Sequence, residues 1–288
     1  MDIGVCLPTT VHDADGDRLV EYARRADRLG FSSLTVTDRI VYDNYDGIVA
    51  LAAAAAVTER ITLVTGILLA AARPSPVEVA KQLASLDRLS NGRLVVGVSA
   101  GMRADDYEAT GTDHGTRGAR LDAMIEQMRE VWQGRGPVPG VGPRPVRGDI
   151  PIWGGGTSPG ALRRAARHGI GWISPGGALP KFTELADEVR RLWAEEDREG
   201  APRLAADCYV SLGPDGAAAA DKHLSDFYAF LGPHAQFLVK GAITDEARLR
   251  EVVDGYAAAG CDELMLLPCT DDPGHLDRMA DVTLAGSR

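Results

Sequence analysis

Trp153-Gly154-Gly155-Gly156-Thr157-Ser158 is the stretch of this chain best equipped for chemistry. Its glycines let a ligand approach the backbone, and Thr157 and Ser158 bring hydroxyls to the point where a helical pattern begins. Exposed N–H groups and the helix dipole at such a turn suit a phosphate. A tight strand-to-helix turn with an ordinary Ser N-cap accounts for the same residues. Gly155-x4-Gly160 lacks the Lys-Ser/Thr that would follow in a nucleoside triphosphatase loop, which argues against that chemistry.

Other stretches are more equivocal. Asp38-Arg39 sets a carboxylate beside a guanidinium just past an apolar run. Such a carboxylate orients or exchanges a proton with a ring, or equally caps the next segment. Arg117 opens a helical pattern with Arg120 one turn on, either as a phosphate partner or as solvated arginines. Asp105, Asp106 and Glu108 lie in a polar stretch where solvated charge is the default, and His12 and His114 read as surface groups. Gly66 interrupts the apolar run Ile61–Leu69 and marks a bulge, a ligand approach or a packing glycine. Cys6, Cys208, Cys261 and Cys269 show no CxxC spacing and no histidine at ligand spacing. Buried thiols in a reducing cytoplasm are therefore expected, with no metal.

Strand-length apolar runs position these residues. They are Ile3–Leu7, Ser33–Thr37, Ile61–Leu69, Arg93–Ser99, Ile150–Gly154, Gly171–Ser174, Ala205–Leu212 and Glu263–Leu267. Helical patterns alternate with them, among them Asp17–Leu29, Gly47–Val57, Pro76–Leu89, Arg117–Trp132, Ser158–His168, Leu179–Glu199 and Asp245–Ala259. A polar loop, Ala100–Thr116, is expected after the fourth strand, and a helical region around Ala217–Leu231 after the seventh. Repeated βα alternation implies a parallel sheet covered by helices, and eight units imply a closed (β/α)8 TIM barrel in an α/β protein. An open doubly wound sheet would carry a Gly-rich first turn, which Pro8-Thr9-Thr10-Val11-His12 is not. The Pro/Gly-rich stretch after Gly134 is a surface loop because alternation resumes at Ile150, so residues 1–288 read as one domain with long loops. The active site of such a barrel lies at the C-terminal strand ends, where Asp38, Gly66, Gly101 and Gly154–Ser158 all fall.

The 41 acidic and 31 basic residues give a net charge of −10, which argues against nucleic acid as a partner. No segment approaches the ~20 apolar residues of a membrane span. Met1-Asp2-Ile3-Gly4 lacks the basic start of a signal peptide.

Longer patterns then come into register: Ala23-x-x-Ala26-Asp-Arg-Leu-Gly30-Phe31-x-Ser33-Leu34-x-Val36-x-Asp38, and Arg60-Ile61-x-Leu63-x-Thr65-Gly66-Ile67. The most specific runs from Pro76-x-Glu78-x-Ala80-Lys81-Gln82-Leu83 to Leu89-Ser90-Asn91-Gly92-Arg93-Leu94-x-x-Gly97. It continues through Gly101, Tyr107-Glu108-x-x-Gly111, Arg117 and Pro151-Ile152-Trp153-x-Gly155-Gly156-x-Ser158. Over residues 1 to about 175 the chain resembles the bacterial luciferase-like superfamily of flavin- and deazaflavin-dependent oxidoreductases.

The resemblance implies a tricyclic ring bound at the barrel mouth, with a third-strand bulge and non-proline cis peptide at Gly66-Ile67 beneath its face. Thr65, Gly66, Ile67, Asp38 and Arg39 would line the ring site; Gly154, Gly155, Gly156, Thr157 and Ser158 would take the phosphate, with Gly101 and Arg117 nearby. Asp38 and Glu108 are the catalytic candidates, and Arg39 and Arg73 would hold an anionic substrate or cofactor tail. Two departures stand out. Arg39 replaces the histidine common in deazaflavin-dependent members, and Ala100 replaces an arginine of FMN-dependent luciferases. Gly66-Ile67 resembles the F420 branch. The expectation is an F420-dependent oxidoreductase acting on a small organic substrate. An FMN monooxygenase served by a partner reductase is the alternative, and a non-catalytic flavin-binding relative comes third. Homodimers through helices near the second and third strands are also implied; the Ala-rich face Ala50–Ala56 suits close packing between subunits, though a face buried within the chain is the plainer reading.

Overall fold

The computed structural model describes residues 1–284, and in it eight parallel strands close into one barrel in sequence order. They are β1 (Asp2–Cys6), β2 (Ser33–Val36), β3 (Thr62–Leu68), β4 (Leu94–Val98), β5 (Ile152–Gly155), β6 (Gly171–Ser174), β7 (Arg203–Val210) and β8 (Glu263–Pro268). Closure brings β8 against β1, with Val5 opposite Leu266. Side chains alternate between barrel interior and helix layer. Cys6, Val64, Trp153, Ile173, Ala205, Met265 and Leu267 fill the interior. Leu34, Leu63, Val96, Leu204 and Leu264 pack outward into the larger core.

The outer layer is α1 (Gly16–Leu29), α2 (Gly47–Ala55), α3 (Pro76–Leu89), α4 (Ala104–Thr110), α5 (Arg117–Trp132), α6 (Pro159–His168), α7 (Leu179–Glu195), α8 (Gly216–Phe227), α9 (Ala235–Gly241), α10 (Glu246–Ala258) and α11 (Gly274–Thr283). Local chemistry sets their ends. Asp15 caps α1 by accepting from the N–H groups of Asp17 and Arg18, and Gly30 closes it in the left-handed region. Ser75 caps α3, with Pro76 at its first position.

The expected polar loop Ala100–Thr116 is instead partly helical. Asp105 and Asp106 occupy the first turn of α4, Tyr107 is buried beneath it, and Gly111 ends it at φ 68°. The acidic first turn hid the pattern, because one buried aromatic does not make a helical period. After β7 the chain makes α8, a 3-10 turn at Ala229–His234 and α9 before the barrel helix α10. This is a longer excursion than the helix expected around Ala217–Leu231. Among the described residues no helix is long and apolar enough to cross a membrane. The last four residues of the 1–288 span lie outside those described.

Candidate active site at the barrel mouth

β3 changes register between Thr65 and Leu68, and the Gly66-Ile67 peptide within this bulge is cis. A Cβ on Gly66 would collide with Thr35 Oγ1 on the neighbouring strand, which accounts for the glycine. Thr65 turns outward and donates to the Gly97 carbonyl at 2.8 Å. Ile67 is thereby laid across β4 and β5: a Cβ on Gly97 would stand 2.9 Å from Ile67 Cγ2, and one on Gly155 would stand 2.6 Å from Ile67 Cδ1. Glycines on the floor and an isoleucine above them form an apolar platform at the mouth.

The loops after β4 and β5 converge beside that platform. Ser99 Oγ accepts the Gly101 N–H at 3.3 Å and also faces Gly156. Gly101 at φ 68° and Gly156 at φ 109° adopt backbone that other residues resist. Trp172 Nε1 donates to the Gly156 carbonyl at 2.8 Å and so fixes the turn. Gly154 lets α6 approach, since a Cβ there would lie 2.6 Å from Ala165 Cα. Thr157 and Ser158 are exposed, and Ser158 Oγ caps α6 by accepting the Ala161 N–H. Arg117, half-buried, donates to the His114 carbonyl at 2.9 Å. Arg120 donates to the carbonyls of Ala71, Arg73 and Pro74, so it braces the segment after β3 and is not placed for a phosphate.

Asp38 is buried and accepts from the Leu69 N–H at 2.9 Å and from Arg73 at 3.0 Å. Arg73 also bonds Asp46 at 3.1 Å. Burial pushes the Asp38 carboxyl up, against the pull of that guanidinium. The pair therefore buttresses the segment that follows the bulge, and Arg73, shared between two carboxylates, stands with Arg39 on the wall of a cavity of about 330 Å³. Arg39 is enclosed by the rings of Tyr42, Phe227 and Phe230 at 4.7, 4.8 and 5.3 Å and donates to the Phe227 carbonyl at 2.5 Å. Glu108 faces solvent on α4. The buried carboxylate of that stretch is Asp106, whose Oδ1 receives the N–H groups of Ile40 and Val41 at 3.0 and 2.8 Å; the expectation of solvated charge there is corrected. His12 is exposed beside Asp13 and Asp43, while His114 packs its ring on Tyr107.

The excursion after β7 crosses the mouth. Tyr42 on the β2 loop donates to Asp226, Arg103 on the β4 loop lies 4.4 Å from the Phe230 ring, and Tyr209 on β7 meets Tyr228 hydroxyl to hydroxyl at 2.9 Å. Beneath it sits a group the sequence reading passed over. Asp207 lies two residues beyond the interior Ala205 and two before Tyr209, so it faces the barrel. Its Oδ1 accepts the Gly176 N–H at 2.5 Å. Burial pushes its carboxyl up to about 7, opposed only by that N–H. The signal available was an acidic residue at an inward position of a strand-length run.

The platform, the glycine cradle and the turn with exposed amides and hydroxyls fit a flat ring carrying a phosphate. The model of the family described as Luciferase-like monooxygenase matches residues 1–283. An uncharacterized protein of Mycobacterium tuberculosis is 34% identical over 174 residues, 55% of this chain and 59% of that protein. An F420-dependent glucose-6-phosphate dehydrogenase of Kribbella flavida is 29% identical over 209 residues, 62% of each chain. The chain thus spans about three fifths of the length of these relatives. A solved F420-dependent secondary alcohol dehydrogenase superposes with a TM-score of 0.84 over 99% of this chain and 98% of its own, at 19% identity, a likeness of fold.

Proposed function

The chain belongs to the luciferase-like monooxygenase family, and on that premise we propose that it is an oxidoreductase using coenzyme F420 for hydride transfer to or from a small organic substrate. The observation that carries this is Ile67 lying over Gly97 and Gly155 beside the Gly154–Ser158 turn. The similarity to F420-dependent dehydrogenases supports the cofactor. When bound, F420 supplies a carbon that accepts or donates hydride.

The protein's own residues position and enclose. Ile67 supports a ring face, with Thr65 and Gly66 setting the bulge that presents it. The amides from Gly154 to Ser158, with Arg117 and the Ser99–Gly101 loop, hold the phosphate. A groove of about 500 Å³ leads outward from Thr157 between α6 and α7 and gives room for a longer tail. Asp38 and Arg73 keep the segment after β3 in place, and the α8–α9 excursion covers part of the mouth. Arg39 acts here as the clasp of that excursion.

FMN in place of F420 would make the chain a monooxygenase served by a partner reductase, a reading the family name supports. Titration of the apoprotein with each oxidised cofactor, followed by fluorescence quenching, separates the readings. Saturable quenching of F420 is expected. Binding of FMN alone would replace the F420 reading with the monooxygenase one, and affinity for neither would leave a non-catalytic relative. The outer face of α2 is apolar, with Val49 66% exposed beside Ala53 and Ala56. A homodimer through it is the assembly we propose, checked by light scattering of wild type and Val49→Glu. The four cysteines are unbridged, as suits action in the cytoplasm.

A further inference from the structure

We infer that Asp207 is the proton-exchanging group of the barrel mouth, taking the hydroxyl proton as an alcohol substrate becomes a carbonyl and returning it in the reverse direction. The inference rests on the oxidoreductase reading above and adds to it the residue that exchanges the proton. Among the carboxylates that face the mouth or its loops, Asp38 is held by Arg73 and a backbone N–H, and Asp106 is held by two backbone N–H groups. Asp207 has one recorded partner, the Gly176 N–H, and among the described residues no cation lies at ion-pair distance from it. It stands fifth in the eight residues of β7, facing the barrel one layer below Tyr209 and level with the residue that follows β6, so the loop after β6 reaches it.

Its surroundings suit a proton carrier. Cys6 of β1, Cys208 and Tyr209 of β7, Tyr228 after α8 and Tyr256 of α10 are the titratable groups whose charges would bear on Asp207. Burial pushes each of these thiols and phenols up, Cys6 and Tyr228 to about 12, so they stay neutral while Asp207 changes charge. A carboxyl poised near neutrality accepts a proton and gives it up with comparable ease. Asp207 is half-buried, so it also reaches water. Ile67, Leu267 and the phenol pair line the rest of the mouth, which favours an uncharged substrate.

The step balances. In the oxidising direction the carbinol C–H bond breaks with its electron pair passing to the hydride acceptor, a bound deazaflavin. The O–H bond breaks with its proton passing to the Asp207 carboxylate, and the C=O bond forms. In reverse, the Asp207 carboxylic acid protonates the alcohol oxygen.

The test uses the full chain labelled with 13C at aspartate carboxyls. One resonance is expected to titrate near neutrality and to vanish in Asp207→Asn, whose amide oxygen still accepts the Gly176 N–H and so preserves the fold. Binding of oxidised F420 near neutral pH is then followed calorimetrically in buffers of different ionisation enthalpy. Covering the mouth strips water from the carboxylate, so wild type is expected to take up a fraction of a proton on binding and the variant none. A resonance titrating near the ordinary carboxylate value of about 4, or equal proton uptake by both proteins, overturns the role of Asp207 and leaves the cofactor reading standing. Binding of neither F420 nor FMN by wild type overturns the cofactor reading, and the inference falls with it.

Discussion

Gly66 and Thr35 face each other across β2 and β3, and the space between them admits one side chain. The Thr35 hydroxyl is buried without a recorded partner, and a Cβ on Gly66 would run into it, while the Thr35 Cβ would be 3.4 Å away. Gly66→Ala is expected to cost about 2 kcal/mol, the usual range for overpacking. In a Thr35→Ala background most of that cost should disappear, because the obstructing atom is the hydroxyl oxygen. Urea unfolding of the two single variants and the double variant measures the coupling; strictly additive costs would show that the collision is not what selects glycine. Asp38 permits a second such cycle. Arg73→Met leaves a buried carboxylate beside a methionine, and a loss of about 3 kcal/mol or more is expected. Asp38→Asn in the same chain should recover part of it. Asp38 was readable as a polar group past the second strand. Its commitment to Arg73, 35 positions on, was not, because nothing in local pattern says which distant cation a carboxylate meets.

The clasp made by Arg39 belongs to the scale of elements. Its guanidinium sits among three rings and ties the β2 loop to the excursion after β7, assisted by the bond from Tyr42 to Asp226. Cation–ring contacts of this kind are worth about 1 kcal/mol each when partly desolvated. Arg39→Ala is therefore expected to speed amide hydrogen exchange across 224–241 by at least about tenfold, with the barrel strands unaffected. Uniform acceleration would mean that Arg39 supports the whole fold. The barrel itself could be read in advance because each strand is a continuous apolar run and each helix carries its own period and cap. α4 escaped because its polar first turn looks like loop, and the 3-10 turn with α9 escaped because Gly232 and Pro233 break any period. The glycines of the fifth-strand turn were legible by type. Asp207 was overlooked because strand parity becomes informative only once the register around the barrel is known.

At the scale of the molecule, the response to pH draws on two buried histidines and the half-buried Asp207, which pull in opposite directions. His223, packed on Phe227 and Tyr209, and His275, whose Nε2 accepts the Leu212 N–H, are driven by burial from 6.5 to about 4. The unfolded chain protonates these imidazoles first, so their contribution is present above 6.5 and lost as pH falls toward 4, roughly 3 kcal/mol each. Asp207 has the reverse sign. Its folded value of about 7 lies above the ordinary 3.8, so the folded state retains a proton that the unfolded chain has released. Stability therefore falls as pH rises from about 4 to 7, by about 4 kcal/mol in all, and is level beyond. Between 4 and 6.5 the carboxyl masks part of the histidine effect. Asp207→Asn removes the mask. Its stability relative to wild type should be near its baseline at about pH 4, climb through the window to neutrality, and stay constant at higher pH, while its own acid limb becomes steeper. Urea unfolding of both proteins at a series of pH values measures the difference directly. A difference that does not change with pH would place Asp207 among ordinary carboxylates and leave the acid response of the two histidines unmasked.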